Sequence, residues 1–205
     1  MTGEERDALE ATLRRLHDAG DLEGTATRAL EAYGPEVLGF LVNLTHSRQD
    51  AADVFSLFCE DVWRGLPSFR FDCSMRTWAY TLARHAAQRL RDDPHARRRR
   101  PLADHPQLEE IEQRLRTTTV TWLQTREKDR LRALREALDP DDRTLLVLRV
   151  DRDMPWSDVA RVFLGDGARG DEASVARKAA ALRKRFERVK AMLRERMRAA
   201  REGSE

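Results

Sequence analysis

A chain of 205 residues has room for one large domain or two small ones. Its residues are 40% hydrophobic, 36% charged and only 6% aromatic, a mixture that suits short amphipathic helices and excludes the aromatic, β-branched makeup of a β-sandwich. The formal net charge of +2 conceals a division: residues 1–66 hold thirteen Asp and Glu against six Lys and Arg, whereas residues 176–201 hold eleven Lys and Arg against two Glu. One end therefore favours a polyanion, and the other is free to meet a basic partner.

In chain order, residues 4–18 predict a short amphipathic helix with Leu9, Leu13 and Leu16 on one face. A second helix begins near Thr25 and is expected to break at Tyr33-Gly34-Pro35, because Pro suits a helix start but not its interior. Val37, Phe40, Leu41 and Leu44 give a third apolar stripe. Asp50 to Leu66 is the clearest helix. It places Ala51, Phe55, Phe58 and Val62 on one face and Asp53, Ser56, Glu60 and Arg64 on the other, and Gly65-Leu66-Pro67 ends it. An aromatic and polar loop, residues 68–75, leads into a helix from Arg76 to Arg91.

Asp92 to Pro106, with three prolines and the run Arg97 to Arg100, reads as a linker. The four arginines are equally a nucleic-acid contact or a solvated stretch. Residues 107–138 are helical by pattern, interrupted by the β-branched run Thr117-Thr118-Thr119. Asp139-Pro140-Asp141-Asp142 is a helix-start signal, followed by Leu145, Leu146 and Leu148. Pro155 opens a short helix, Trp156 to Phe163. The Gly-rich connection Gly165 to Gly170 then leads into a long basic helix from about Asp171. The expected fold class is all-α: two small helical domains joined by a flexible linker, the C-terminal one a helix-turn-helix. The boundaries are a helical extension over 1–21, a first domain over 22–92, a linker over 93–127 and a second domain over 128–205.

Three sets of residues carry the chemistry. In the basic helix, Leu182, Phe186, Val189 and Leu193 form one buried stripe, leaving Arg183, Lys184, Arg185 and Arg188 to reach phosphates and base edges. A merely solvated helix usually mixes charge signs in i, i+4 pairs, whereas this one sets only two acidic residues among eleven basic ones. The loop interleaves Phe69, Phe71, Trp78 and Tyr80 with Arg70, Arg76 and Arg84, a combination suited to stacking and charge pairing with unpaired bases. Taken alone, Trp78 and Tyr80 read as core. The third set is the polar face of the 50–66 helix.

Other signals are weak. Gly165 to Gly170 lacks the Gly-Lys-Ser/Thr and preceding strand of a phosphate loop. His17, His46, His85, His95 and His105 have no metal-ligand spacing, and no catalytic set is recognisable, so neither enzyme, metal nor cofactor is expected. Cys59 and Cys73 form no CxxC pair and read as reduced thiols. The acidic start is unlike a signal peptide, and no apolar run approaches the roughly 18 residues of a membrane span. A cytoplasmic protein is expected.

The stretch Tyr33 to Arg91 resembles region 2 of extracytoplasmic-function sigma factors, of the sigma-70 family. The resemblance lies in Asp50-Ala51-Ala52-Asp53-Val54-Phe55, Val62-Trp63-Arg64-Gly65-Leu66, Phe69 to Tyr80, and Ala83-Arg84-His85-Ala86-Ala87. Leu134 to Leu193 is similar to region 4, through Leu138 to Arg143, Leu145 to Arg149, Trp156-Ser157-Asp158-Val159-Ala160 and Leu182-Arg183-Lys184-Arg185-Phe186. The two pieces stand in the family's order over well more than half the chain.

The resemblance implies core RNA polymerase and promoter DNA as partners, with an anti-sigma factor as a third candidate. Asp50, Asp53, Ser56, Leu57 and Glu60 would dock on the polymerase. Arg70, Phe71, Asp72, Cys73, Ser74, Met75, Arg76, Trp78, Arg84 and His85 would melt and read the −10 element. The −35 duplex would be read by the basic helix in one of two registers. Either that helix starts near Ser174-Val175 with Arg177 and Lys178 as readers, or it starts near Ala181-Leu182 with Arg183, Lys184, Arg185 and Arg188. The second is preferred, because Phe186 and Val189 then supply the buried bulk. The chain departs from the family pattern with Ser56-Leu57 for a common Gln-Glu, Phe71 for a usual Gly and His85 for a usual Asn. The alternatives are a stand-alone helix-turn-helix regulator and, from another class, a recombinase-like DNA-processing enzyme.

Overall fold

The computed structural model describes residues 1–45, 47–92, 106, 110–115, 137–165 and 171–202. The protein is all-α, and no strand occurs among the described residues. It divides into two compact units, Met1–Gln124 and Thr125–Glu205. The Arg97 to Arg100 run, the Thr117 to Thr119 run and most of the Gly-rich connection lie outside the described residues.

In the first unit, α1 (Gly3–Asp18) is followed by α2 (Leu22–Thr45), α3 (Arg48–Gly65), a single 3₁₀ turn (Leu66–Ser68) and α4 (Met75–Asp92). Local chemistry sets these ends. Thr2 and Glu5 form a reciprocal capping box on α1, and the Ser47 hydroxyl accepts from the Asp50 N–H at the start of α3. Helix α2 corrects the expected break at Tyr33-Gly34-Pro35, because it runs through Pro35 without ending. A Pro inside a helix costs about 3 kcal/mol. Here the apolar stripe continues on both sides, with Leu30, Tyr33, Val37, Leu38 and Leu41 all buried, and Pro35 sits on the exposed side. Burial of that stripe outweighs the lost backbone bond.

Helices α2, α3 and α4 enclose the core, where Phe40 meets Tyr80 edge-on at 5.4 Å and Phe55 packs on Phe58 at 5.5 Å. Residues 110–115, within the stretch read as linker, are helical, and Ile111, Glu112 and Leu115 are buried. Gly34 makes this approach possible: a Cβ there would lie 2.5 Å from Leu115 Cδ1. Gly65 does the same for the Trp78 indole, whose Cζ2 lies 2.8 Å from where a Cβ would be.

The start of α4 is held from a distance. Ser74 Oγ accepts from the Thr77 N–H at 3.1 Å, and the Glu10 carboxylate of α1 accepts from the N–H groups of Met75 and Arg76 at 2.7 and 3.0 Å. Glu10 also accepts from the Tyr33 hydroxyl at 2.7 Å. Burial, reinforced by this carboxylate, pushes the Tyr33 hydroxyl far above its usual range, so it stays protonated and donates. Arg76, itself buried, makes a two-pronged pair with Glu36 at 2.7 and 3.1 Å.

The second unit contains α5 (Pro140–Leu146), a π turn (Val147–Asp151), α6 (Trp156–Leu164) and α7 (Glu172–Glu202). Asp139 caps α5 by accepting from the Asp141 N–H at 2.9 Å, with Pro140 in the first turn, where its missing N–H costs nothing. The buried stripe of α7 is Val175, Ala179, Leu182 and Val189, with Phe186 partly buried. The basic helix starts where it was expected, near Asp171. Asp171 Oδ1 accepts from the Ser174 N–H at 2.9 Å, and the helix runs unbroken from Glu172, so Ala181-Leu182 is mid-helix.

Glu10→Ala should destabilise the first unit by about 1–3 kcal/mol, since three buried or half-buried donors lose their acceptor together. Urea unfolding checks this; an unchanged midpoint would show that solvent replaces the carboxylate at no cost.

Candidate nucleic-acid and partner interfaces

The loop between the 3₁₀ turn and α4 is an aromatic stack. Phe69 lies on Trp78 with ring centroids 4.5 Å apart and planes 22° apart, and Phe71 leans on Phe69 at 4.6 Å. Phe71 has φ +56°, in the left-handed region where a bulky side chain is strained. Helix α1 clasps it: His17 meets the ring edge-on at 5.3 Å, and the Arg14 guanidinium lies 5.5 Å above its centre. His17 Nε2 is also within hydrogen-bonding distance, 2.9 Å, of the Leu66 carbonyl.

Ten residues of this region were expected to meet DNA, and they divide by burial. Arg70 and Asp72 are exposed, while Phe71, Cys73, Ser74, Arg84 and His85 are half-buried. Met75, Arg76 and Trp78 are in the interior rather than on a surface open to DNA. Met75 lies at the Glu10 anchor, Arg76 is committed to Glu36, and Trp78 is covered by Phe69 and Gly65. Phe69 and Tyr80 are core residues as well.

Along α3, Asp53, Ser56 and Glu60 form one stripe by their spacing. Asp50 and Asp53 are half-buried, and Asp53 accepts from the Gln49 side chain at 3.0 Å. The expectation that Glu60 faces solvent is corrected: it is 4% exposed and pairs with Arg64. Leu57 is buried too, because its position falls on the apolar side of the helix beside Val54 and Phe58. Ser56 Oγ donates to the Glu112 carboxylate of the 110–115 segment.

On α7 the basic side chains take different roles. Arg177, Lys184 and Arg188 are exposed and share a face with Ala173 and Ala180, opposite the buried stripe. Lys178 lies 5.6 Å above the Phe163 ring, and the exposed Arg183 lies 5.7 Å above Trp156. Arg185 turns inward: its Nε donates to Asp142 and its guanidinium reaches Asp139 at 3.0 Å, tying α7 to the start of α5.

The sequence reading missed Glu10, Arg14 and His17. Their i, i+4, i+7 spacing marks one face of α1, but most of the groups they touch lie some fifty to sixty-six residues away, where no spacing rule reaches. Among the described residues no group of His, Cys, Asp and Glu is placed to hold a metal ion, and no helix is long and apolar enough to cross a membrane.

Residues 29–100, spanning most of α2 together with α3, the aromatic loop and α4, match the family model of Sigma-70 region 2. No curated protein and no solved structure matches the chain. The acidic α3 and the aromatic loop thus lie inside the matched stretch, and the match supports a sigma-70 family sigma factor, a protein of transcription initiation that binds RNA polymerase and takes part in promoter recognition.

Proposed function

We propose that this chain is an alternative sigma factor of the extracytoplasmic-function kind, working in the cytoplasm, which docks on core RNA polymerase through α3, melts and reads the −10 element with the aromatic loop and reads the −35 element with α7. The observation that carries the reading is the match of residues 29–100 to Sigma-70 region 2, coincident with the helices that frame the loop. It is an initiation factor, not an enzyme. An anti-sigma factor is a candidate competitor for the same faces.

Within α3 the docking role falls to Asp50, Asp53 and Ser56, the candidates that are not buried. At the loop, Arg70 and Asp72 offer a cation and an acceptor beside the Phe71 ring, suited to a base taken out of the stack and its phosphate. In the second unit, α6 and α7 act as the two helices of a helix-turn-helix. Its contact face is Arg177, Lys184 and Arg188, with Arg183 beside it, and the intervening alanines let the backbone come close to DNA. This favours the earlier register near Ser174-Val175 for the first turns of α7. Arg185 acts within the domain.

Three outcomes follow. Asp53→Lys should weaken core polymerase binding several-fold with unchanged circular dichroism, and undiminished binding would remove α3 as the docking surface. Arg177→Ala or Lys184→Ala should weaken DNA binding. A phosphate contact lowers the log–log salt slope by about 1 without changing base preference, whereas a base contact costs about 1–3 kcal/mol at one position. Arg70→Ala and Asp72→Ala should impair open-complex formation more than closed-complex binding, and a template mismatched across the −10 region should restore it, because unpairing is then no longer required. Permanganate footprinting on paired and pre-melted templates distinguishes this from a purely structural loop, for which neither template would show a defect.

A further inference from the structure

Residues 110–115 lie against one end of the surface that α3 would offer to the polymerase, at Ser56. Three contacts fix them there. The Glu112 carboxylate accepts from Ser56 Oγ, the last of the three α3 side chains assigned to docking. Leu115, 8% exposed, fills the space left by the missing side chain of Gly34 on α2. Arg114 reaches Glu31 of α2 at 2.8 Å, an exposed ion pair of small weight. The buried Ile111 adds a second apolar anchor. The segment therefore spans α2 and α3 and uses up the hydroxyl of a residue that a partner would need. Glu112 is only 6% exposed there, so its carboxylate is held at the interface rather than in open solvent.

We propose that the 110–115 segment is an autoinhibitory cover: in the free chain it occupies part of the polymerase-docking face, and it must leave before α3 can engage. The inference rests on the docking role of α3. The physical consequence is a population effect. Only the uncovered fraction binds, so the apparent dissociation constant exceeds the intrinsic one by the reciprocal of that fraction. Short apolar contacts, the Ser56 hydrogen bond and an exposed ion pair are suited to such a switch, being strong enough to close the face and weak enough for an extensive interface to displace them.

The test compares full-length chains in binding to core polymerase. In one, residues 110–115 are replaced by Gly and Ser at equal length, which removes all the contacts by construction. The dissociation constant should fall by about tenfold, chiefly through faster association. Equal or weaker binding by a chain of unchanged helicity overturns the cover. If the replacement unfolds the first unit, Glu112→Ala breaks the Ser56 bond while keeping both apolar anchors. A two- to threefold tighter complex is then expected, and no change overturns the proposal. Asp53→Lys measured alongside separates the two readings. Tighter binding by the uncovered chain together with normal binding by Asp53→Lys would keep the cover and move the docking surface. Weakened Asp53→Lys with no gain on uncovering would keep the docking surface and discard the cover.

Discussion

The first unit depends on a carboxylate at a helix N-terminus. The first turn of any α-helix has N–H groups without intrahelical partners and a positive end of the macrodipole. In α4 two of those groups are met by Glu10, which belongs to a helix more than sixty residues earlier in the chain. The same carboxylate takes the Tyr33 hydroxyl from α2, and the adjacent Arg76 is neutralised by Glu36. A buried guanidinium without its partner would cost several kcal/mol, so α1, α2 and α4 are fixed to one another at this point. The aromatic loop enters α4 there. Its position is therefore set by polar groups on three helices and not by the loop alone.

That anchoring explains how the loop tolerates Phe71 at a positive φ. A non-Gly residue in that region costs about 1–3 kcal/mol and persists only when its surroundings over-determine it. The Phe71 ring has Phe69 on one side, the His17 edge on another and the Arg14 guanidinium above. Ring contacts replace the conformational freedom that Gly would have supplied. They also leave Arg70 and Asp72 exposed on a backbone that is held in place.

In the second unit a related division of labour governs the basic helix. Arg185 is held by Asp139 and Asp142, both in the sequence that also starts α5. One aspartate thus caps a helix and clamps another. Arg183 and Lys178 lie over aromatic rings of α6, while among the described residues no ring lies under Arg177, Lys184 or Arg188. A high count of arginines in one helix therefore does not translate into an equal number of side chains available to an anionic partner. Some build the platform from which the rest project.

Much was determined by the sequence itself. Period-3.6 apolar stripes and local caps such as Ser47 and Asp139 specify the helices, because their causes lie within a few residues. The polar stripe of α3 and the basic face of α7 were legible for the same reason. Other features waited on tertiary structure. Pro35 reads as a break because the local backbone cost is visible in sequence, whereas the buried stripe that overrides it belongs to the assembled core. Glu60 and Arg76 read as surface charges, and Arg185 as a reader, because charge is a property of the residue while burial and pairing are properties of the fold. Glu10, His17 and Glu112 reach partners some fifty or more residues away. Their roles were decided only when packing brought those segments together, since no periodic pattern encodes contact across that distance.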